Sequence, residues 1–170
     1  MIYFTSDLHL GHNAVINMQN RPFTDEDEMD RVLIANYNSV VHKNDTVYLL
    51  GDICFRIGVD RANELIASMN GKKYLIKGNH DKKYDEDLFN GIYDFLEIAV
   101  NGVNVSLMHY PMMSWPKSRH GALHLHGHIH SKGDYNLQQK MEGILRYDVG
   151  IDANKYYPVS IEQLKDFFEL

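Results

Sequence analysis

Apolar positions recur along this chain with two spacings, one suited to strands and one to helices. Short apolar runs predict strands at 2–6 (IYFTS), 46–52 (TVYLLGD) and 73–81 (KYLIKGNHD), the last two running into glycine turns. The stretch 93–111 places apolar runs on either side of Asn101-Gly102, a pair suited to a type I′ turn, and predicts a hairpin. ALHLHGHIH (122–130) and GILRYDVG (143–150) read as further strands. Gly127 interrupts the first, leaving ALHLH as strand and GHIH as loop. Helical spacing marks 24–41, where Met29, Val32, Leu33 and Tyr37 form one stripe behind an N-cap at Thr24. It also marks 59–71, capped by Asp60 and stopped by Gly71, and 160–170, where Ser160 and Gln163 have the spacing of a capping box. Strand–helix units mixed with hairpins predict an α/β (α+β) fold. A length of 170 residues predicts one domain over 1–170.

The formal charge of −6 argues against bulk nucleic-acid binding, because such a surface repels a polyanion. It leaves open a small phosphorylated or nucleotide-like partner drawn into a locally positive site. A lone cysteine, Cys54, excludes an intrachain disulfide and suits a reducing, cytoplasmic setting. The N-terminal stretch has no basic leader, and no apolar run approaches the roughly 18 residues of a membrane span, so neither export nor membrane insertion is expected.

One regularity concerns chemistry. Five apolar runs each end in metal-capable residues: Asp7 and His9, then Asp52, then Asn79, then His109, then His128 and His130. Strand ends of α/β folds converge on one edge of a sheet, where sites are built. Seven mixed nitrogen and oxygen donors exceed what one tetrahedral ion needs and suit two ions with a bridging carboxylate. The imidazole–carboxylate mixture favours Mn, Fe, Zn, Ni or Co over Ca or Mg.

The blocks SDLHLGH, GD (51–52), GNHD (78–81), MHYP (108–111) and HGHIH (126–130) together resemble the signature of the calcineurin-like metallophosphoesterase superfamily, in its order. The resemblance implies two packed mixed β-sheets flanked by helices, with a dinuclear metal site at strand ends. It assigns Asp7, His9 and His130 to one ion, Asn79, His109 and His128 to the other, and Asp52 to both, with manganese favoured. It makes His80 a catalytic non-ligand near the leaving group. The implied activity is phosphodiester hydrolysis by a water activated between the two ions. Phosphomonoesterase, pyrophosphohydrolase and a non-catalytic scaffold of the same fold are the alternatives. In some branches an aspartate shortly after GD orients the catalytic histidine; here Cys54 and Phe55 occupy that stretch.

Other residues carry weaker expectations. Arg21, before a rigid proline, could reach a phosphate. Trp115, Lys117 and Arg119, on the 110–121 link between two ligand blocks, could form a lid over substrate. His124 and His126 match no ligand and read as packed structural residues. His12 follows Asp7 closely enough to lie near the site.

Overall fold

The computed structural model describes residues 1–81 and 83–170 and contains two sheets. The first holds β1 (Ile2–Thr5), β2 (Thr46–Leu49), β3 (Lys72–Ile76), β4 (Gly91–Tyr93) and β9 (Val159–Ser160), in the order β4-β3-β2-β1-β9. Its strands are parallel except β9, which runs antiparallel to β1. The second holds β5 (Phe95–Val100), β6 (Val103–Met108), β7 (Leu123–His126) and β8 (Arg146–Asp148) in sequence order. There β5 and β6 form an antiparallel hairpin, and β6, β7 and β8 are parallel. Both sheets are mixed, and helices flank them, as the α/β reading requires.

Alternation along the strands sorts the core into two layers. Phe4, Leu50, Ile76, Val105, Leu107, Leu123 and Leu125 meet between the sheets, joined by Ile161, Leu164 and Phe168 of α5 (Ile161–Phe168). Val47, Leu49 and Leu75 face the other way, against α1 (Asn13–Gln19), α2 (Glu26–Val40) and α3 (Val59–Ala67). The remaining helix, α4 (Gly133–Met141), packs beside β8.

Local chemistry sets the element ends. Asn101 and Gly102 have φ of 49° and 85°, the paired positive values of the expected type I′ turn. The Ser160 hydroxyl accepts from the Gln163 N–H at 3.1 Å, and Gln163 Oε1 accepts from the Ser160 N–H at 2.8 Å. Two expected caps differ. Asp25, not Thr24, caps α2, its carboxylate accepting from the Glu28 N–H at 2.8 Å. Thr24 instead donates to Glu28 through both its N–H and its hydroxyl, so an acid takes the cap while the threonine serves the third helical residue. Gly58 caps α3 without a side chain, and Asp60 lies within its first turn, where its charge matches the helix N-terminus. That helix ends at Ala67, and Gly71 turns the chain into β3 with φ of 92°. Among the described residues no helix is long and apolar enough to cross a membrane.

The α5 capping box yields a measurable expectation. Ser160→Ala removes one acceptor from the helix N-terminus and should lower unfolding free energy by about 1 kcal/mol. Urea denaturation should show a lower midpoint at unchanged slope; an unchanged midpoint would mean that β9 pairing alone holds this corner.

Candidate metal centre

The C-terminal ends of β1, β2, β3, β6 and β7 deliver their residues to one rim. Two groups of side chains there could hold a metal ion: Asp7, His9 and His130, and Asp7, Asp52 and His109, with ligand atoms within 4.8 Å of one another in each. Asn79 joins the second group, because its Oδ1 lies 3.0 Å from both His109 Nε2 and His128 Nδ1. The seven expected donors are thus brought together. Sharp turns bring them in: Asp7, His9, Asp52, His128 and His130 all have φ between 45° and 72°. Non-glycine residues adopt this left-handed region at a cost, borne where the surrounding structure fixes it. Glycine is required where backbones crowd the carboxylates. A Cβ on Gly127 would collide with Ser6 Oγ and Asp7 Oδ2, and one on Gly78 with the Asp52 carboxylate.

Hydrogen bonding on the far side of each ring fixes which lone pair faces inward. His109 Nδ1 lies 2.7 Å from the Leu50 carbonyl and must donate to it. Its Nε2 lone pair then confronts Asn79 Oδ1 at 3.0 Å and Asp52 Oδ2 at 3.5 Å, both of them acceptors. His130 Nδ1 donates to Asp152 Oδ2 at 2.8 Å, turning Nε2 toward Asp7 Oδ1 at 3.9 Å. His9 is buried, and among the described residues neither of its ring nitrogens has a hydrogen-bond partner, although Nε2 lies 3.6 Å from Asp52 Oδ2. Acceptors facing acceptors at the rim repel, and a buried nitrogen without a partner is costly. A cation removes both penalties, so the donors fit the divalent ions expected of them.

The titration behaviour points the same way. Burial pushes the Asp7 carboxyl up from 3.8 to about 7, with the nearby Asp148 adding to the shift. Burial pushes His9 down to about 3, helped by neighbouring His130, so His9 is neutral with one ring-nitrogen lone pair free. Burial opposes charge on His109 and His130, yet both are raised. The neighbouring Asp52 and Asp7 carboxylates outweigh burial at His109, and Asp152 and Asp7 do so at His130. The cluster attracts positive charge.

A further layer holds the donors in place. Arg21 grips Asp152 with Nε at 3.0 Å and Nη2 at 2.8 Å, and also donates to the carbonyls of Asp7 and Leu8. Burial would raise Asp152, but His130 and Arg21 hold it at about 2. The Asp81 carboxylate accepts the N–H groups of Asp52, Ile53 and Gly78 and the Tyr84 hydroxyl, tying the β2 and β3 turns together. Asp148 accepts from the N–H groups of Gly150 and Ser131, fixing the loop just after His130. Neither Asp148 nor Asp152 is among the sequence-derived candidates, although RYDVGID, an apolar run ending in acids, carries the same signal as the other blocks.

The expected substrate contacts are corrected. Arg21 is 4% exposed and its donors are committed to Asp152 and to carbonyls, so it braces His130 from behind. Trp115 is buried, its indole N–H donating to the Ala122 carbonyl at 2.8 Å, and it packs on His124. Lys117 Nζ donates to Asn104 Oδ1 at 3.0 Å, at the beginning of β6, and Arg119 lies in the 3-10 turn just before β7. The reason is topological. Because β6 and β7 are parallel, their connection must return to the sheet edge opposite His109, and it carries Lys117 and Arg119 away from the metal centre.

His124 and His126 are fully buried on the outer face of β7. His124 bonds to the Ser106 carbonyl and the Met112 N–H, and His126 to the Gly127 carbonyl and the Tyr135 hydroxyl. Burial lowers both to about 4, so they are neutral structural groups. His80 is exposed. Its N–H donates to Asp52 Oδ1 at 2.8 Å, and its ring stands edge-on to Phe55 at 4.5 Å and 5.7 Å from His9. Phe55 thus packs against His80 in the stretch where no acid is available.

No protein-family model matches the chain. It is 34% identical over 172 residues to the uncharacterized protein MJ1445 of Methanocaldococcus jannaschii, covering 99% of this chain and 91% of that one. It is 31% identical over 160 residues to the gene 66 protein of Mycobacterium phage L5, covering 76% of this chain and 77% of that protein. Among solved structures, the protein of unknown function AQ665 from Aquifex aeolicus superposes with a TM-score of 0.77 at 26% identity, covering 98% of each chain.

The raised Asp7 gives a pH-dependent expectation. A carboxyl whose folded pKa is about 7 rather than 3.8 favours folding below its unfolded pKa, and that contribution is lost as pH rises toward 7. A dication bound to ionised Asp7 and neutral histidines offsets the loss, and its binding releases protons. Manganese should therefore raise the melting temperature more at about pH 8 than at about pH 5.5. Equal shifts at both values would mean that Asp7 is not a ligand.

Proposed function

This chain belongs to the family of the uncharacterized protein MJ1445, and we propose that it is a metal-dependent phosphoesterase acting on a small phosphorylated or nucleotide-like substrate. The observation that carries the reading is the pairing of acceptor against acceptor at His109, Asn79 and Asp52, beside an exposed histidine, His80, whose ring is not among the grouped ligand atoms. In this reading Asp7, His9 and His130 would hold one ion and Asn79, His109 and His128 the other, with Asp52 available to both. When bound there, two such ions neutralise a phosphoryl group and lower the pKa of a water. Manganese is the favoured pair, and a diester the favoured substrate.

The chain's own groups supply the rest. His80 donates a proton to the departing oxygen, being exposed at the rim while its backbone is pinned to Asp52. Packing on Phe55 restricts its ring. The Leu50 carbonyl and Asp152 keep His109 and His130 in the tautomers that present Nε2. Asp81 holds the Asp52 and Asn79 turns in register, and the scaffold around the ligands stays rigid.

Hydrolysis of bis-p-nitrophenyl phosphate and p-nitrophenyl phosphate with added manganese tests the reading. Faster release from the diester is expected, with loss of turnover in Asp52→Asn. His80→Ala should keep its metal by elemental analysis while kcat falls by about 10²–10⁴. Loss of metal from that variant would recast His80 as a ligand. A metal-loaded wild type inert toward both esters would favour the scaffold alternative.

A further inference from the structure

Beside the metal centre, the turn after β2 carries Phe55 and Arg56. It is tied to the turn after β1 by hydrogen bonds from Leu10 N–H to the Ile53 carbonyl and from Phe55 N–H to the Leu10 carbonyl. Phe55 is the hub of this rim. His80 meets its ring at 4.5 Å, His12 at 4.1 Å and His9 at 5.8 Å, and the Arg56 guanidinium lies 5.0 Å from its centroid.

Two polar side chains here lack a polar partner among the described residues. Arg56 is exposed, has a φ of 57° and makes no ion pair among the described residues, whereas Arg21 and Arg61 are each paired with a carboxylate. Its recorded contact is the face of Phe55, which orients the guanidinium without using its N–H groups. Among the described residues His12 Nδ1 is buried with no partner and Nε2 makes no hydrogen bond, so a proton carried on Nε2 would face outward. A strained backbone, an uncommitted guanidinium and an uncommitted imidazole share one aromatic seat, next to a centre suited to phosphate, on a chain of net charge −6. An arginine fork with a neighbouring N–H donor matches phosphate oxygens in geometry and charge.

We propose that His12 and Arg56, seated on Phe55, form a second anion subsite that binds a phosphate beyond the one held at the metal centre. The proposal rests on the phosphoesterase reading for the first phosphate. It gives the substrate class a second anionic group, joined either through the sugar or directly to the first phosphate.

Isothermal titration of the manganese-loaded chain with hydrolysis-resistant thymidine phosphonates tests it. The three ligands are the 5′-phosphonate, the 3′,5′-bisphosphonate and the 5′-methylenediphosphonate. At least one two-anion ligand should bind about tenfold more tightly than the 5′-phosphonate, and which one does so identifies the linkage. In Arg56→Gln the gain should shrink to less than about threefold, with Arg56→Lys between, because lysine keeps the charge but not the fork. Equal binding of all three ligands by wild type, or a gain that survives Arg56→Gln, would overturn the subsite. A gain that persists while wild type hydrolyses no ester would sink the phosphoesterase reading and leave the anion subsite standing.

Discussion

Electron pairs with nowhere to go govern this molecule. The Leu50 carbonyl claims one nitrogen of His109 and thereby aims the other at an amide oxygen and a carboxylate. Asp152 does the same to His130, whose Nε2 faces Asp7. His9 is buried with two uncommitted nitrogens. A cluster evolved only for packing would turn these groups toward donors, as the chain does with His124 and His126, where every ring nitrogen has a partner. The contrast between the two sets of buried histidines separates a structural histidine from one left open for a cation.

Rigidity behind the donors comes from a second tier of acids. Asp81, Asp148 and Asp152 accept from backbone N–H groups or from Arg21 and His130, and each fixes a turn that carries a donor. Arg21 reaches across the sequence to Asp152 and to the carbonyls of Asp7 and Leu8, so one guanidinium braces the turn after β1 and the loop after β8 together. Left-handed backbone at five donor positions is sustained by this tier.

Much of this was legible from the chain itself. Period-two runs, the Asn101-Gly102 turn and the Ser160–Gln163 box are local chemistry, and they mark elements that form as expected. The donors were legible because each follows an apolar run. Helix α1 escaped because NAVINMQ is short and its N-cap, His12, makes no side-chain cap bond. Helix α4 begins at glycine and has a mostly polar sequence, so its stripe is faint. Arg21 and the 110–121 link were misplaced for a different reason. The burial of Arg21 depends on Asp152, a partner 131 residues away. The position of Lys117 depends on whether β6 and β7 run parallel, which their sequences do not state.

The centre also bears on how the two sheets stay docked. Asp7 belongs to the first sheet and accepts the N–H of His128 from the second, while His109 of the second donates to Leu50 of the first. Ser6 and Gly150 form a parallel bridge across the same end. The donor set therefore draws on both sheets. Ions bound there would join them where acceptor repulsion otherwise pushes them apart, while Phe4, Leu107 and Leu125 join them by apolar burial further in. Metal affinity and sheet docking share one free energy under this arrangement. Loosening the sheet interface should weaken ion binding without touching a ligand, and a ligand substitution should loosen the interface beneath it.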